Sequence, residues 1–190
     1  SSEAIPVVGL GTYQAFSALA DQETRDRLTG VLREFHLRGG RFIDSSPMYG
    51  PAEATVGELL PTIPQTDRKS WFLATKVWTD GQEAGIAQME DSAKKMGVTN
   101  IDLMQIHNLR DWSHHLPTLK AWKTEGKIRY LGITTSDGRD HDGLIRLMKS
   151  EPLDFVQFTY NVDSREAENV LLPLAKDRGI ATIINRPFGQ

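Results

Sequence analysis

Four side chains in this sequence, Asp44, Tyr49, Lys76 and His107, form a set able to protonate a developing alkoxide. A tyrosine ordinarily titrates near ~10, too high for an efficient acid at neutral pH. A neighbouring lysine cation favours the phenolate and pulls that value down. An aspartate beside the lysine keeps it charged and oriented. A histidine hydrogen-bonds a substrate oxygen and fixes its angle. Such an apparatus needs an electron donor, and a nicotinamide hydride is the usual one. Taken singly, Tyr49 and Lys76 read as surface residues and His107 as a satisfied core histidine. The chemistry resides in the combination.

The elements that must position this set are short apolar runs alternating with amphipathic stretches. Strands are expected at 7–10, 42–43, 71–74, 101–106, 130–133, 155–158 and 180–184. Helices are expected at 21–38, 53–60, 85–96, 116–125, 141–149 and 167–178, several of them stopped by glycine. The first helix carries Leu28, Val31, Leu32 and Phe35 on one face. Nearly all-apolar strands imply that both sheet faces are covered, and strict alternation implies a parallel sheet. A doubly wound sheet and a (β/α)-barrel both fit that alternation. Spacing does not separate them, but the positions of the polar residues bear on the choice. Asp44 and Tyr49, Lys76, His107, Thr134 and Thr135, Gln157, and Asn185 and Arg186 all end or follow strands. A barrel gathers such points on one rim, whereas an open sheet scatters them, so the barrel is favoured.

Composition narrows the field. With 39% hydrophobic and 25% charged residues the chain has material for one core, and a single domain over 1–190 is expected. The net charge of -3 argues against nucleic-acid binding. The absence of cysteine excludes disulfides, thiolate metal sites and a cysteine nucleophile. No apolar run reaches ~18 residues, so no membrane span is expected. A cytoplasmic placement is the working expectation. The chain opens Ser1-Ser2-Glu3 without methionine, so the native start is expected upstream, where an export signal would go unseen. His114-His115 suggests a metal pair, but adjacent helical residues point apart, and a solvated helix start is preferred, with no metal. His36 and His141 are assigned to helix surfaces. Trp71 and Trp122 are assigned to the core, while Trp78 and Trp112 follow strand ends, where pocket lining and plain packing are equally good readings.

Gly9-Leu10-Gly11-Thr12-Tyr13, the segment from Phe42 through Asp44, Ser45, Ser46, Pro47 and Met48 to Tyr49-Gly50, Ala74-Thr75-Lys76-Val77, and the run from Ile101 to His107 resemble the aldo-keto reductase signatures in order and spacing. Gly126-Lys127-Ile128-Arg129-Tyr130-Leu131-Gly132 resembles the family's approach to its fifth strand. The resemblance implies a TIM (β/α)₈ barrel reducing a small-molecule carbonyl with NADPH (NADP+), without a G-x-G-x-x-G fingerprint. It implies Asp44, Tyr49, Lys76 and His107 as the catalytic tetrad. Gly11, Thr12, Tyr13, Asp44, Thr134, Thr135, Gln157, Asn185 and Arg186 are the expected cofactor contacts, and Tyr13, Trp78, His107 and Trp112 the expected substrate contacts.

Three departures stand out. Thr134-Thr135 occupies the place of the family's Ser-Asn, with shorter reach than an amide. Asn185 stands where an aromatic usually stacks on the nicotinamide, and Arg186 is expected to compensate at the pyrophosphate. The sequence stops at Gln190, before the seventh helix, eighth strand and eighth helix, where the family grips the 2′-phosphate. Seven strands leave two unpaired edges, so further residues or a self-associating partner segment are expected to complete the sheet. A catalytically weak cofactor-binding or regulatory relative stays as the alternative function. A doubly wound hydrolase finds no G-x-S-x-G elbow.

Overall fold

The computed structural model describes residues 3–17 and 21–189. Seven strands, β1 (Gly9–Gly11), β2 (Phe42–Asp44), β3 (Phe72–Val77), β4 (Ile101–His107), β5 (Ile128–Thr134), β6 (Phe155–Thr159) and β7 (Ala181–Asn185), alternate with six α-helices. The helices are α1 (Gln22–Leu37), α2 (Ala52–Leu59), α3 (Gln82–Lys95), α4 (Trp112–Thr124), α5 (His141–Ser150) and α6 (Leu171–Arg178). The strands are all parallel and lie in sequence order from β1 to β7.

The sheet curls. Gln157 on β6 donates to Asp44 on β2 across 3.1 Å. In a flat sheet, four strand spacings would separate those strands by roughly 19 Å. Phe72 on β3 and Phe155 on β6 likewise meet at 6.1 Å between ring centroids. The architecture is therefore the seven-strand part of a (β/α)₈ barrel, as the gathering of polar residues led us to expect. Among the described residues β1 and β7 are not paired with each other.

The two-residue period of a strand sorts the side chains. Phe42, Phe72, Ala74, Leu103 and Phe155 pack together with Tyr130 and Ile183 on the concave face. Two and four residues further along the same strands, that face carries Asp44, Lys76, Gln105, His107, Thr134, Gln157, Thr159 and Asn185. The concave face thus has an apolar floor and a polar rim. The alternate residues, such as Leu73, Met104, Ile106, Ile133 and Val156, pack outward beneath the helices. Gly132 keeps the strands close here: a Cβ there would lie 3.0 Å from the Phe155 carbonyl and 3.3 Å from Gln105 Cγ, tight enough that its neighbours would have to give.

Several boundaries differ from expectation. Val7 and Val8 are exposed, and β1 begins only at Gly9, which registers with Phe42. Gly9 has no room for a side chain, since a Cβ would sit 2.9 Å from the Phe42 ring. Asp21 caps α1 by accepting from the Thr24 N–H, and Leu28 and Leu32 are buried as expected, but Val31 falls on the exposed edge. Helix α4 starts at Trp112, not at 116, because Pro117 lies inside the helix instead of opening it. A 3₁₀ turn over Glu166–Glu168 takes the place of the first turn expected for α6. Trp71 and Trp122 are core residues.

Beneath the floor, the buried Asp102 carboxylate ties β3, β4 and β5 together. It accepts from Arg68 at 2.6 Å, from Arg129 at 2.7 Å and from the Leu73 N–H at 2.8 Å. Removing one member of a buried pair costs about 3–5 kcal/mol. Both arginines remain part-exposed and keep much of their hydration, so Asp102→Ala should fall at the low end, about 3 kcal/mol. Urea unfolding monitored by tryptophan fluorescence checks this, and a loss below roughly 0.5 kcal/mol, the size of an ordinary surface substitution, would show that the network contributes little.

Candidate active site

The ends of β2, β3 and β4 bring Asp44, Lys76 and His107 to one point, and the turn after β2 adds Tyr49. Lys76 is buried, and an isolated ammonium there would be costly. It is satisfied by donating to Asp44 Oδ2 at 2.8 Å and to the Ser45 carbonyl at 2.7 Å. Asp44 in turn accepts from Gln157 Nε2 at 3.1 Å and Gln105 Nε2 at 3.3 Å. One carboxylate therefore collects donors from β3, β4 and β6.

The Tyr49 ring lies against this cation, with Lys76 Nζ 5.3 Å from its centroid. His107 meets the same ring edge-on at 6.1 Å, and Tyr13 lies 5.0 Å away on the solvent side. The tyrosine pKa moves opposite to expectation. Burial pushes the phenol above its ordinary value, and the Lys76 charge offsets only part of that rise. Desolvation outweighs the cation because most of the ring is enclosed. His107 is pushed down to about 3, first by burial and second by repulsion from Lys76. Its imidazole is therefore neutral at neutral pH. Its Nδ1 lies 3.1 Å from the Ser46 hydroxyl.

The remaining expected residues divide into several groups. Gly11 borders open space, whereas Thr12 is buried, its hydroxyl 2.9 Å from Ser45 Oγ and 3.1 Å from the Asp44 carbonyl. Tyr13 is more than half exposed. Thr134 and Thr135 are buried at the rim, and Thr135 Oγ1 has no partner among the described residues. Asn185 does not point freely into the site. Its amide accepts from Thr159 Oγ1 at 2.5 Å and donates to the Thr135 carbonyl at 3.0 Å, stitching β5, β6 and β7. Arg186 is ion-paired with Asp137 and lines a cavity of about 440 Å³ with His141 and Asn161. Trp78 is half-buried beneath the Arg110 guanidinium, 4.6 Å from its ring, and Arg110 is held by Asp80. Trp112 packs against the apolar core between sheet and helices.

The histidine pair is a partial correction. His114 is exposed and paired with Asp111, but His115 is buried, donating Nε2–H to the Thr79 carbonyl at 2.8 Å. The earlier start of α4 turns His115 inward against Gly85. No cluster able to hold a metal occurs among the described residues. His36 packs on Trp71, at 5.0 Å between rings. Ser45, Ser46 and Gln105 belong to the site but were not singled out in the sequence. Gln105 was accessible to reasoning, since it lies two residues before His107 and must share its face. Ser46 meets His107 across 61 positions of sequence, and no local pattern announces that contact.

An orphaned hydroxyl at the rim fits the carboxamide of a nicotinamide, which offers both a donor and an acceptor: Thr135 Oγ1 is buried and unpartnered, with Gln157 on the neighbouring strand β6. The pyrophosphate end fits less readily, because the Arg186 charge is already engaged by Asp137.

Fold and site together define a parallel (β/α)-barrel protein with a Tyr–Lys–Asp–His rim. The aldo/keto reductase family model matches residues 7–190, and the chain belongs to that family. It is 28% identical to an NADH-specific methylglyoxal reductase of Escherichia coli, over 96% of this chain and 64% of the relative. A second E. coli methylglyoxal reductase is also 28% identical, over 98% of this chain and 65% of the relative. The chain thus spans under two thirds of the length of these relatives. Among solved structures, an aldo/keto reductase of Klebsiella pneumoniae in complex with NADP and acetate superposes with a TM-score of 0.80 at 23% identity, covering 95% of this chain and 63% of that one. An aldo/keto reductase from Brucella melitensis gives 0.77 at 24% identity, covering 96% and 68%. At these identities the likeness speaks for the fold. No described helix is long and apolar enough to cross a membrane.

The depressed histidine carries a stability consequence. Unfolded His107 regains an ordinary pKa of 6.5, against about 3 when folded, so the unfolded chain binds the extra proton between those values. Its contribution is therefore full above pH 6.5 and is lost as pH falls toward 3, at up to about 1.4 kcal/mol per pH unit. Denaturant titrations from neutral pH downward should show His107→Gln losing less stability than wild type. Parallel losses in the two proteins would mean that His107 titrates normally.

Proposed function

We propose that this chain is an NADPH-dependent carbonyl reductase, with Tyr49 as general acid. The observation that carries the reading is the convergence of Tyr49 on the buried Lys76–Asp44 pair and on neutral His107. The orphaned Thr135 hydroxyl supports a nicotinamide at the rim. The NADP in the Klebsiella pneumoniae neighbour supports the phosphorylated form, although one E. coli relative is named as NADH-specific. The methylglyoxal reductases among the relatives support a small aldehyde or ketone as substrate.

When bound, the nicotinamide supplies a hydride to the carbonyl carbon. The protein's own task is the proton. The Tyr49 phenol, whose pKa burial pushes above its ordinary value, is protonated at neutral pH, so a proton is present to give. As negative charge grows on the carbonyl oxygen, Tyr49 Oη passes its proton to it, and the Lys76 cation stabilises the phenolate left behind. Asp44 holds the Lys76 ammonium in place through their hydrogen bond. His107 donates from a neutral ring, which orients the oxygen without competing to protonate it. Thr134, Thr135 and Gln157 would hold the nicotinamide, and Gly11 would let it approach β1. Tyr13 and Trp78 would flank the substrate, with Trp112 supporting that wall from behind.

Tyr49→Phe should leave the fold and NADPH affinity intact and lower kcat for an aromatic aldehyde by about 10²–10⁴-fold. Near-normal turnover would exclude Tyr49 as the acid, and NADPH binding with no turnover by the wild type would favour the regulatory alternative.

The pH dependence of reduction follows from the same groups. The acid must be protonated, and its pKa is raised, so kcat/KM should stay level through neutral pH and fall only on the strongly alkaline side. Lys76→Met removes the charge that lowers the phenol, so its alkaline limb should move further up while the plateau drops. An alkaline limb moving down in that variant would contradict the assignment.

A further inference from the structure

We propose that Ser46 is a positioning residue that holds His107 with Nδ1 as hydrogen-bond acceptor, so that Nε2 carries the ring proton toward the substrate carbonyl oxygen. The proposal rests on the carbonyl-reductase reading of the site. Ser46 is fully buried, and its hydroxyl lies 3.1 Å from His107 Nδ1. A hydroxyl has one proton to donate and lone pairs to accept with. Ser46 Oγ accepts from the Met48 backbone N–H at 3.3 Å, and the described residues give it no other partner. Its proton therefore has one acceptor in reach, the Nδ1 lone pair. The opposite arrangement, Nδ1–H donating to Ser46, leaves the serine proton buried without an acceptor, which costs about 1–3 kcal/mol.

The assignment matters because His107 is a neutral ring with a single proton. Carried on Nε2, that proton is a donor to the carbonyl oxygen. Carried on Nδ1, it would turn a lone pair toward that oxygen, and the ring could not orient it. Ser46 also acts on the acid. Its carbonyl accepts from the Tyr49 N–H at 3.0 Å, closing the turn that brings the phenol to the rim. One residue thus links the placement of the proton donor to that of the group which orients the acceptor. Ser45, its neighbour, serves the other half of the site through its carbonyl to Lys76.

The test is read first on the resting protein. In protein labelled with ¹⁵N-histidine, long-range ¹H–¹⁵N correlation distinguishes the two neutral tautomers, and the His107→Gln variant identifies the His107 signal among the five histidines. The expected spectrum has an unprotonated, hydrogen-bonded Nδ1 and a protonated Nε2 at neutral pH. Ser46→Ala should shift the Nδ1 signal toward that of a nitrogen without a hydrogen bond. It should also lower kcat by roughly three- to tenfold, the worth of one hydrogen bond, with NADPH affinity unchanged. Ser46→Thr, which keeps the hydroxyl, should restore both. A protonated Nδ1 in the wild type, or wild-type kcat in Ser46→Ala, would overturn the proposal. A wild type that turns over no carbonyl would sink the reductase reading alone, since the spectrum needs neither substrate nor turnover.

Discussion

The buried ion pair between Lys76 and Asp44 is the interaction on which the site is built. An ammonium with a side chain only 2% exposed is tolerable only if it is paired and hydrogen-bonded. Asp44 and the Ser45 carbonyl supply two, and both lie on the segment that leads directly to Tyr49. Asp44 must itself be satisfied, and Gln105 and Gln157 donate to it from β4 and β6. Those bonds exist only because the sheet curls. Curvature and charge burial therefore depend on each other: the barrel brings the donors in, and the carboxylate binds the strands from inside.

The same cation has opposite consequences for its two neighbours. It disfavours a second positive charge, so it adds to burial in keeping His107 neutral. It favours a negative one, so it opposes burial at Tyr49. For the tyrosine, burial wins in the resting site, and the phenol is held protonated. An acid poised this way keeps its proton until charge develops nearby, while the cation that will stabilise its conjugate base is already in place and already paid for in desolvation.

Around this centre the rim is braced by polar cross-links instead of apolar packing. Asn185 occupies a position where resemblance to the family led us to expect loss of an aromatic stack. In the fold it is a stitch, joining Thr159 on β6 to the Thr135 carbonyl after β5. Arg186, expected to face a pyrophosphate, is engaged by Asp137 across the same edge. Two side chains expected to contact the cofactor thus also cross-link the segments that would present it.

Much of this was legible in the residues. Two-residue alternation along apolar strands places Phe72, Ala74 and Lys76, or Leu103, Gln105 and His107, on a common face whatever the fold, because successive side chains must point to opposite sides. Glycines after amphipathic runs mark helix ends, and the recurrence of polar residues after strands marks a rim. So the sequence by itself determined the alternation, the parallel sheet, and the set Asp44, Tyr49, Lys76 and His107 as residues bound for one end of it. The tertiary structure alone decided what those residues experience. How deeply Tyr49 is enclosed, and hence that its pKa rises, is a sum over neighbours from distant segments. That Ser46 reaches His107, that Gln157 reaches Asp44, and that His115 turns inward while His114 stays out, follow from curvature and from where α4 begins. Local pattern encodes direction along one strand or helix, whereas contact and burial belong to the curled sheet.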